Sequence, residues 1–253
     1  MKWLKQIFFK RLVFNTMLKQ AMYVEVQSIH VQNNISDFID ISNKKFFIKS
    51  DINFFESELC KPKNYEFSKK IKFLYIVGPH FEYLHKNFED FVKGMVKLKK
   101  NKFDFEIVVT LTKEQLNNSK LWDKYLDNQT VCLGYIPKDD IEKQFEDNTI
   151  LISTSVIETL GLHVIEAIQN GILAIVPNEV YSKSVYGNDT LIYKLFDVES
   201  LVNKIDEITL LANNDIKDII LKNQHYLIKN ETKKYKNVLD IFDKIIKVEN
   251  VQK

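Results

Sequence analysis

Ile150 to Val176 reads ILISTSVIETLGLHVIEAIQNGILAIV. Ile150 to Thr154 and Ile172 to Val176 read as buried strands, because each run is too short for a buried helix. Leu162 to Gln169 is expected to be the helix between them, closed by Gly171 at the position after its last turn. The same alternation extends upstream. Lys72 to Val77, Phe105 to Leu111 and Thr130 to Leu133 read as further strands, and helices are expected over Lys113 to Tyr125, Asp139 to Phe145 and Glu199 to Ala212. The clearest helix is Asn87 to Lys99, where Phe88, Phe91, Val92, Met95 and Leu98 recur at helical spacing. Strands alternating with helices are the signature of βα units, so the fold class is α/β: a Rossmann-like parallel sheet flanked by helices.

On either side the pattern changes. After Asn213 the strands stop and two lysine-rich helical stretches follow, the last with Tyr235, Val238, Leu239, Phe242, Ile245 and Ile246 on one stripe. Upstream, Tyr23 to Gln27 and Lys45 to Lys49 read as strands flanking a short helix near Ile35 to Ile39, and Pro62 marks a linker. The expected division is 1–65, 66–230 and 231–253.

At 253 residues, 45% of them hydrophobic, the chain can bury one substantial core and a smaller second unit. Its 28% charged residues balance to a formal net charge of +2, which argues against nucleic acid as a partner. Cys60 and Cys132 lie far apart with no CxxC or His/Cys cluster, so neither a disulfide scaffold nor a metal site is expected, and a reducing cytoplasm fits. No apolar run reaches the roughly 20 residues that span a bilayer, and no secretory leader is recognisable. One region is locally cationic. Lys2, Lys5, Lys10, Arg11 and Lys19 precede the first acidic residue, Glu25, and stand among Trp3, Leu4, Ile7, Phe8, Phe9, Leu12, Val13 and Phe14. Residues 2–19 suit a helix at an anionic membrane surface, or a helix packed on its domain through the apolar face; the two are compatible.

In an open parallel sheet, ligands collect beyond the carboxyl ends of the strands. Gly78 and Gly134 each follow a strand there, and Gly161 opens the helix after another. Neither GxGxxG nor GxxxxGK[ST] occurs. The free N–H groups at Gly161 and Leu162 can instead receive a phosphate, with Lys86 as countercharge. Glu158 precedes that helix and Glu166 lies inside it, so two carboxylates near the crevice can accept hydrogen bonds from sugar hydroxyls. The alternative is a pair of solvated carboxylates with no ligand.

Glu158 to Glu166, ETLGLHVIE, resembles the E-x7-E motif of retaining GT-B glycosyltransferases, especially glycosyltransferase family four. Ala167 to Gly171 with Ile172 to Pro177 resembles that family's helix-to-strand sequel, Leu133-Gly134-Tyr135-Ile136 its LGYV segment, and His85-Lys86-Asn87 its HKN element. The resemblance implies a nucleotide diphosphate sugar as donor substrate, a glycan or lipid-linked acceptor, and no cofactor or metal. It further implies that Glu166 binds the ribose and Glu158 the transferred sugar. Lys86, Gly161 and Leu162 would hold the diphosphate, with Gly78 beside it and Tyr135 and Ile136 near the base.

Where many members carry arginine after the first strand's glycine, this chain has Gly78-Pro79-His80, and His80 is either a partial substitute or, as a lone loop histidine more often is, a surface residue. His163 stands where proline is frequent and is expected to be structural. Residues 1–65 resemble only the tail of an acceptor-binding domain. The expectations are therefore a cytoplasmic hexosyltransferase of surface-polysaccharide synthesis, peripheral at the inner membrane face, or a non-catalytic donor-binding subunit completed by a partner chain. A GT-B epimerase is less favoured by the HKN and ETLGL elements.

Overall fold

The structure is a computed structural model that describes residues 2–37, 40–49, 59–99, 104–123, 126, 129–231, 234–235 and 237–251. The chain divides into two compact units, one of Met1–Glu56 with Asn230–Lys253 and one of Ser57–Lys229.

In the first unit, α1 (Lys2–Gln20) leads to β1 (Tyr23–Val26), α2 (Ile29–Ser36) and β2 (Lys45–Ile48). The two strands pair in parallel, from Tyr23 opposite Lys45 to Val26 opposite Ile48. The connecting helix begins six residues earlier than the expected Ile35; residues 38 and 39 lie outside the described residues.

The second unit runs β3 (Ile71–Tyr75), a 3-10 turn (Leu84–Lys86), α3 (Phe88–Leu98), β4 (Phe105–Val109), α4 (Lys113–Asn118), β5 (Thr130–Cys132) and α5 (Lys138–Glu142). It continues with β6 (Thr149–Ile152), α6 (Leu162–Gln169), β7 (Leu173–Pro177), α7 (Val180–Tyr186), β8 (Leu191–Tyr193), α8 (Val198–Thr209) and α9 (Asn213–Glu231). The six strands form one sheet, β5-β4-β3-β6-β7-β8, with every neighbouring pair parallel. Strand order therefore reverses between β3 and β6, which opens a crevice beyond their carboxyl ends.

The helical stripe of α3 is the reason for its place. Phe88, Phe91, Val92, Met95 and Leu98 are all buried, and full burial of such side chains stabilises by about 1.5–3 kcal/mol each before entropy is counted. α4 ends at Asn118, short of the expected Tyr125, because Ser119 turns the backbone extended. Thr112 starts that helix with a capping box closed by Gln115.

The stretch around Pro62, expected as a linker, is fastened to the sheet. Lys63 N–H donates to the Gly171 carbonyl at 2.9 Å. The buried Tyr65 hydroxyl donates to Thr149 O (2.7 Å) and accepts from Leu173 N–H (2.8 Å). Gly171 has φ +75°, and a Cβ there would run into the Lys61 carbonyl. The last helix, α10 (Val238–Val251), falls in the first unit, where Tyr235 bridges Lys49 and meets Phe47 edge-on.

Candidate functional site

The crevice is built from two strand ends. Beyond β3 the chain runs through Ile76 and Val77 to Gly78; beyond β6 it runs through Ser153, Thr154 and Ser155. Ile76, Val77, Gly78, Ser153 and Ser155 of these segments, with Tyr75, Lys86 and His163, line an open cavity of about 190 Å³. A Cβ on Gly78 would meet nothing within 4 Å, so the space beside it is open.

Lys86 is placed by its backbone. Its carbonyl accepts from the Thr154 hydroxyl at 2.8 Å, and Tyr75 Oη lies 3.2 Å from the same carbonyl and 2.8 Å from Thr154 Oγ1. One residue earlier, the His85 carbonyl accepts from Val156 N–H at 2.7 Å. Asn87 then takes a left-handed conformation, φ +46°, and donates through Nδ2 to Asp90 Oδ2 at 2.6 Å, which turns the chain into α3. The His85-Lys86-Asn87 turn is thereby clamped to the loop after β6.

From that turn the Lys86 ammonium reaches Glu158, with Nζ 2.7 Å from Oε1 and side chains 27% and 15% exposed. Burial pushes the Glu158 carboxyl up, but hydrogen bonds from Lys86 and Ser155 outweigh it and hold the group below the usual carboxylate range. Glu158 is an anion at neutral pH. Half-buried His163 is pushed down to about 4 by desolvation, with Lys86 acting in the same direction and Glu158 against it. Its ring is thus neutral at pH 7, with Nε2 3.1 Å from Ser153 Oγ.

Gly161 caps α6 at φ +59° and ψ +59°. A Cβ there would collide with the hydroxyl of buried Tyr186, which donates to the Leu160 carbonyl at 3.0 Å. Glycine is required on both counts. Leu162 is the first residue of α6, and the opening amides of a helix have no intrahelical acceptors, so this end favours anions.

The remaining expected residues lie around this centre. Glu166 sits one turn into α6, where Lys138 Nζ is 3.4 Å from its Oε1. Tyr135 is 95% exposed after Gly134, which takes φ +68° beyond β5; Ile136 is half-buried. His80 is exposed and its ring stacks on Tyr83, centroids 4.8 Å apart, rather than lining the cavity. Ser153, Thr154, Ser155 and Tyr75 were not anticipated. The available signal was a run of three hydroxyls directly after an apolar strand. His163, expected to be structural, lines the cavity. Among the described residues no group of three or more His, Cys, Asp or Glu could hold a metal ion.

A parallel sheet in this order, with an anion-favouring helix start at its point of reversal, is the α/β architecture of GT-B glycosyltransferases. Residues 61–234 match the family described as glycosyl transferases group 1, and the chain belongs to that family. Its fold is similar to that of TarM, with 19% identity and a TM-score of 0.66 over 94% of this chain and 45% of the other. It is also similar to an S. aureus TarM variant in complex with fondaparinux, α-GlcNAc-glycerol and UDP (17% identity, TM-score 0.68, covering 94% and 45%). Sucrose-phosphate synthase from Thermosynechococcus elongatus matches at 17% identity and TM-score 0.63, covering 86% and 56%. The chain spans about half the length of these relatives. A comparison with curated proteins gave no match.

Proposed function

We propose that this chain binds a nucleotide diphosphate sugar at the reversal point of its sheet and transfers the hexose, with retention, to a glycan or lipid-linked acceptor. One observation carries the reading: Lys86 and Glu158, from different βα junctions, meet at 2.7 Å beside the start of α6. A cation next to unsatisfied amides suits a diphosphate, and its stabilisation there grows as the glycosidic bond breaks and charge gathers on the leaving group. Glu158 and Glu166 then fit the E-x7-E pattern of family four, the first toward the sugar and the second toward the ribose hydroxyls. For the ribose, Glu166 must exchange its contact with the mostly exposed Lys138, a weak surface pair that costs little to give up. The bound UDP of the TarM variant supports a nucleoside diphosphate as the probe. A second reading is a donor-binding subunit that transfers only with a partner chain.

Titration of UDP, GDP and ADP into the protein by calorimetry tests the site. Glu166→Ala should weaken the tightest of them about tenfold or more, the loss of a charged hydrogen bond. Unchanged affinity in that variant would remove the ribose assignment, and no binding of any diphosphate by the wild type would remove the site. Sugar release from a bound donor by the chain alone would decide between the two readings.

A further inference from the structure

The donor site makes no use of α1, whose exposed face carries Phe9, Leu12, Val13 and Met17. These side chains are 65, 55, 41 and 67% exposed. Their spacing of i, i+3, i+4 and i+8 places them on one stripe of the helix. Leu18, by contrast, is buried, so α1 turns a different face inward. At 100° per residue, exposed Lys19 falls on one flank of the stripe and exposed Lys10 between Met17 and Phe14, itself 50% exposed, where lysine stems can lie along an apolar surface and keep their ammonium groups in water. The C-terminal end of α1 gains a further cation. Lys44 Nζ donates to the carbonyls of Lys19 (3.2 Å) and Ala21 (2.9 Å).

We infer that α1 docks the chain on an anionic lipid surface, lying in the interface with Phe9, Leu12, Val13 and Met17 toward the acyl region. Charge selects this occupant. The first 24 residues hold Lys2, Lys5, Lys10, Arg11 and Lys19 and no acidic residue, which attracts anionic headgroups and repels the same face of a second copy. The helix lies on the bilayer rather than through it, since among the described residues no helix is long and apolar enough to cross.

The test is sedimentation of the full chain with vesicles of phosphatidylcholine alone or with about a third phosphatidylglycerol. Binding should favour the anionic vesicles at least tenfold and weaken as salt is raised. Leu12→Glu with Met17→Glu, and separately Lys2→Glu with Lys5→Glu and Lys10→Glu, should each lower the partition at least tenfold. The thermal midpoint and diphosphate affinity of each variant should stay at wild-type values, because none of the altered residues is among those that build the donor site. Three outcomes would overturn the inference: equal binding to both vesicles, equal binding by the variants, or a concentration-dependent oligomer or an acidic protein complex that the same substitutions abolish while vesicle binding is absent.

Discussion

Glu158→Gln should tighten the binding of a free nucleoside diphosphate while it suppresses sugar transfer. The Glu158 carboxylate holds Lys86, at 2.7 Å, and both side chains are mostly shielded from water. A diphosphate must either draw Lys86 away or sit beside an uncompensated anion. A hydrogen bond between charged groups is worth about 1.5–3 kcal/mol net. This pair sits at the wall of an open cavity, so the lower end applies, about 1.5 kcal/mol, or roughly tenfold in affinity. Glutamine keeps the shape and one acceptor but removes the charge that competes for Lys86. Calorimetry with the tightest-binding diphosphate should therefore give a Kd about tenfold lower for Glu158→Gln. In donor turnover the same variant should lose at least about a hundredfold, since the proposed function has this carboxylate meet the transferred sugar. Lys86→Ala should weaken diphosphate binding and cancel the gain in the double variant. A Glu158→Gln protein that binds the diphosphate no more tightly than wild type would refute the competition, and with it the placement of Lys86 on the phosphates.

Two further predictions concern the frame of the site. His163 stays neutral down to about pH 4, whereas the ring in the unfolded chain takes up its proton near 6.5. Between those values the unfolded state binds more protons, so stability falls as pH falls, by about 2 kcal/mol from pH 7 to pH 5; urea unfolding of His163→Gln should lack that component, and an identical pH slope would refute it. Gly161→Ala should destabilise by about 2–4 kcal/mol through its left-handed backbone and the collision with Tyr186. Tyr186→Phe removes the obstructing hydroxyl and should recover at least about 1 kcal/mol of that loss in the double variant; strict additivity in denaturant melts would refute the contact.

The elements that were legible from residues alone are those whose burial follows a period. Phe88, Phe91, Val92, Met95 and Leu98 repeat at helical spacing and all become buried, and the strands from Lys72, Phe105 and Ile150 carry enough consecutive apolar residues to be separated from helices. β8 and α7 were not legible. Leu191–Tyr193 is three residues long, and α7 spans only Val180–Tyr186, so neither offers a period to read. The segment at Pro62 misled for another reason: it is fastened by backbone pairing to Gly171, which leaves no trace in residue type, and by the Tyr65 hydroxyl, whose backbone partners at Thr149 and Leu173 are distant in sequence.

The donor-site candidates divide along the same line. Gly161 announced itself as a glycine at a strand-to-helix junction, where a tight backbone or close ligand approach needs one, and Lys86 and Glu158 through their places at two junctions. That they touch did not follow, since 72 positions separate them. Their separation is set by the clamp of Thr154 on the Lys86 carbonyl and of Val156 on that of His85, two contacts through backbone carbonyls that any side chain at 85 or 86 could share. The consequence is chemical. Residue types alone present Lys86 and Glu158 as two independent ligands of one donor, whereas a 2.7 Å ion pair makes them competitors until the donor arrives. On the proposed function, binding of the diphosphate to Lys86 would release the Glu158 carboxylate toward the sugar, so one event would both neutralise the leaving group and ready the group that faces the reacting carbon. This coupling is why the two halves of the Glu158→Gln prediction, tighter binding and slower transfer, must appear together.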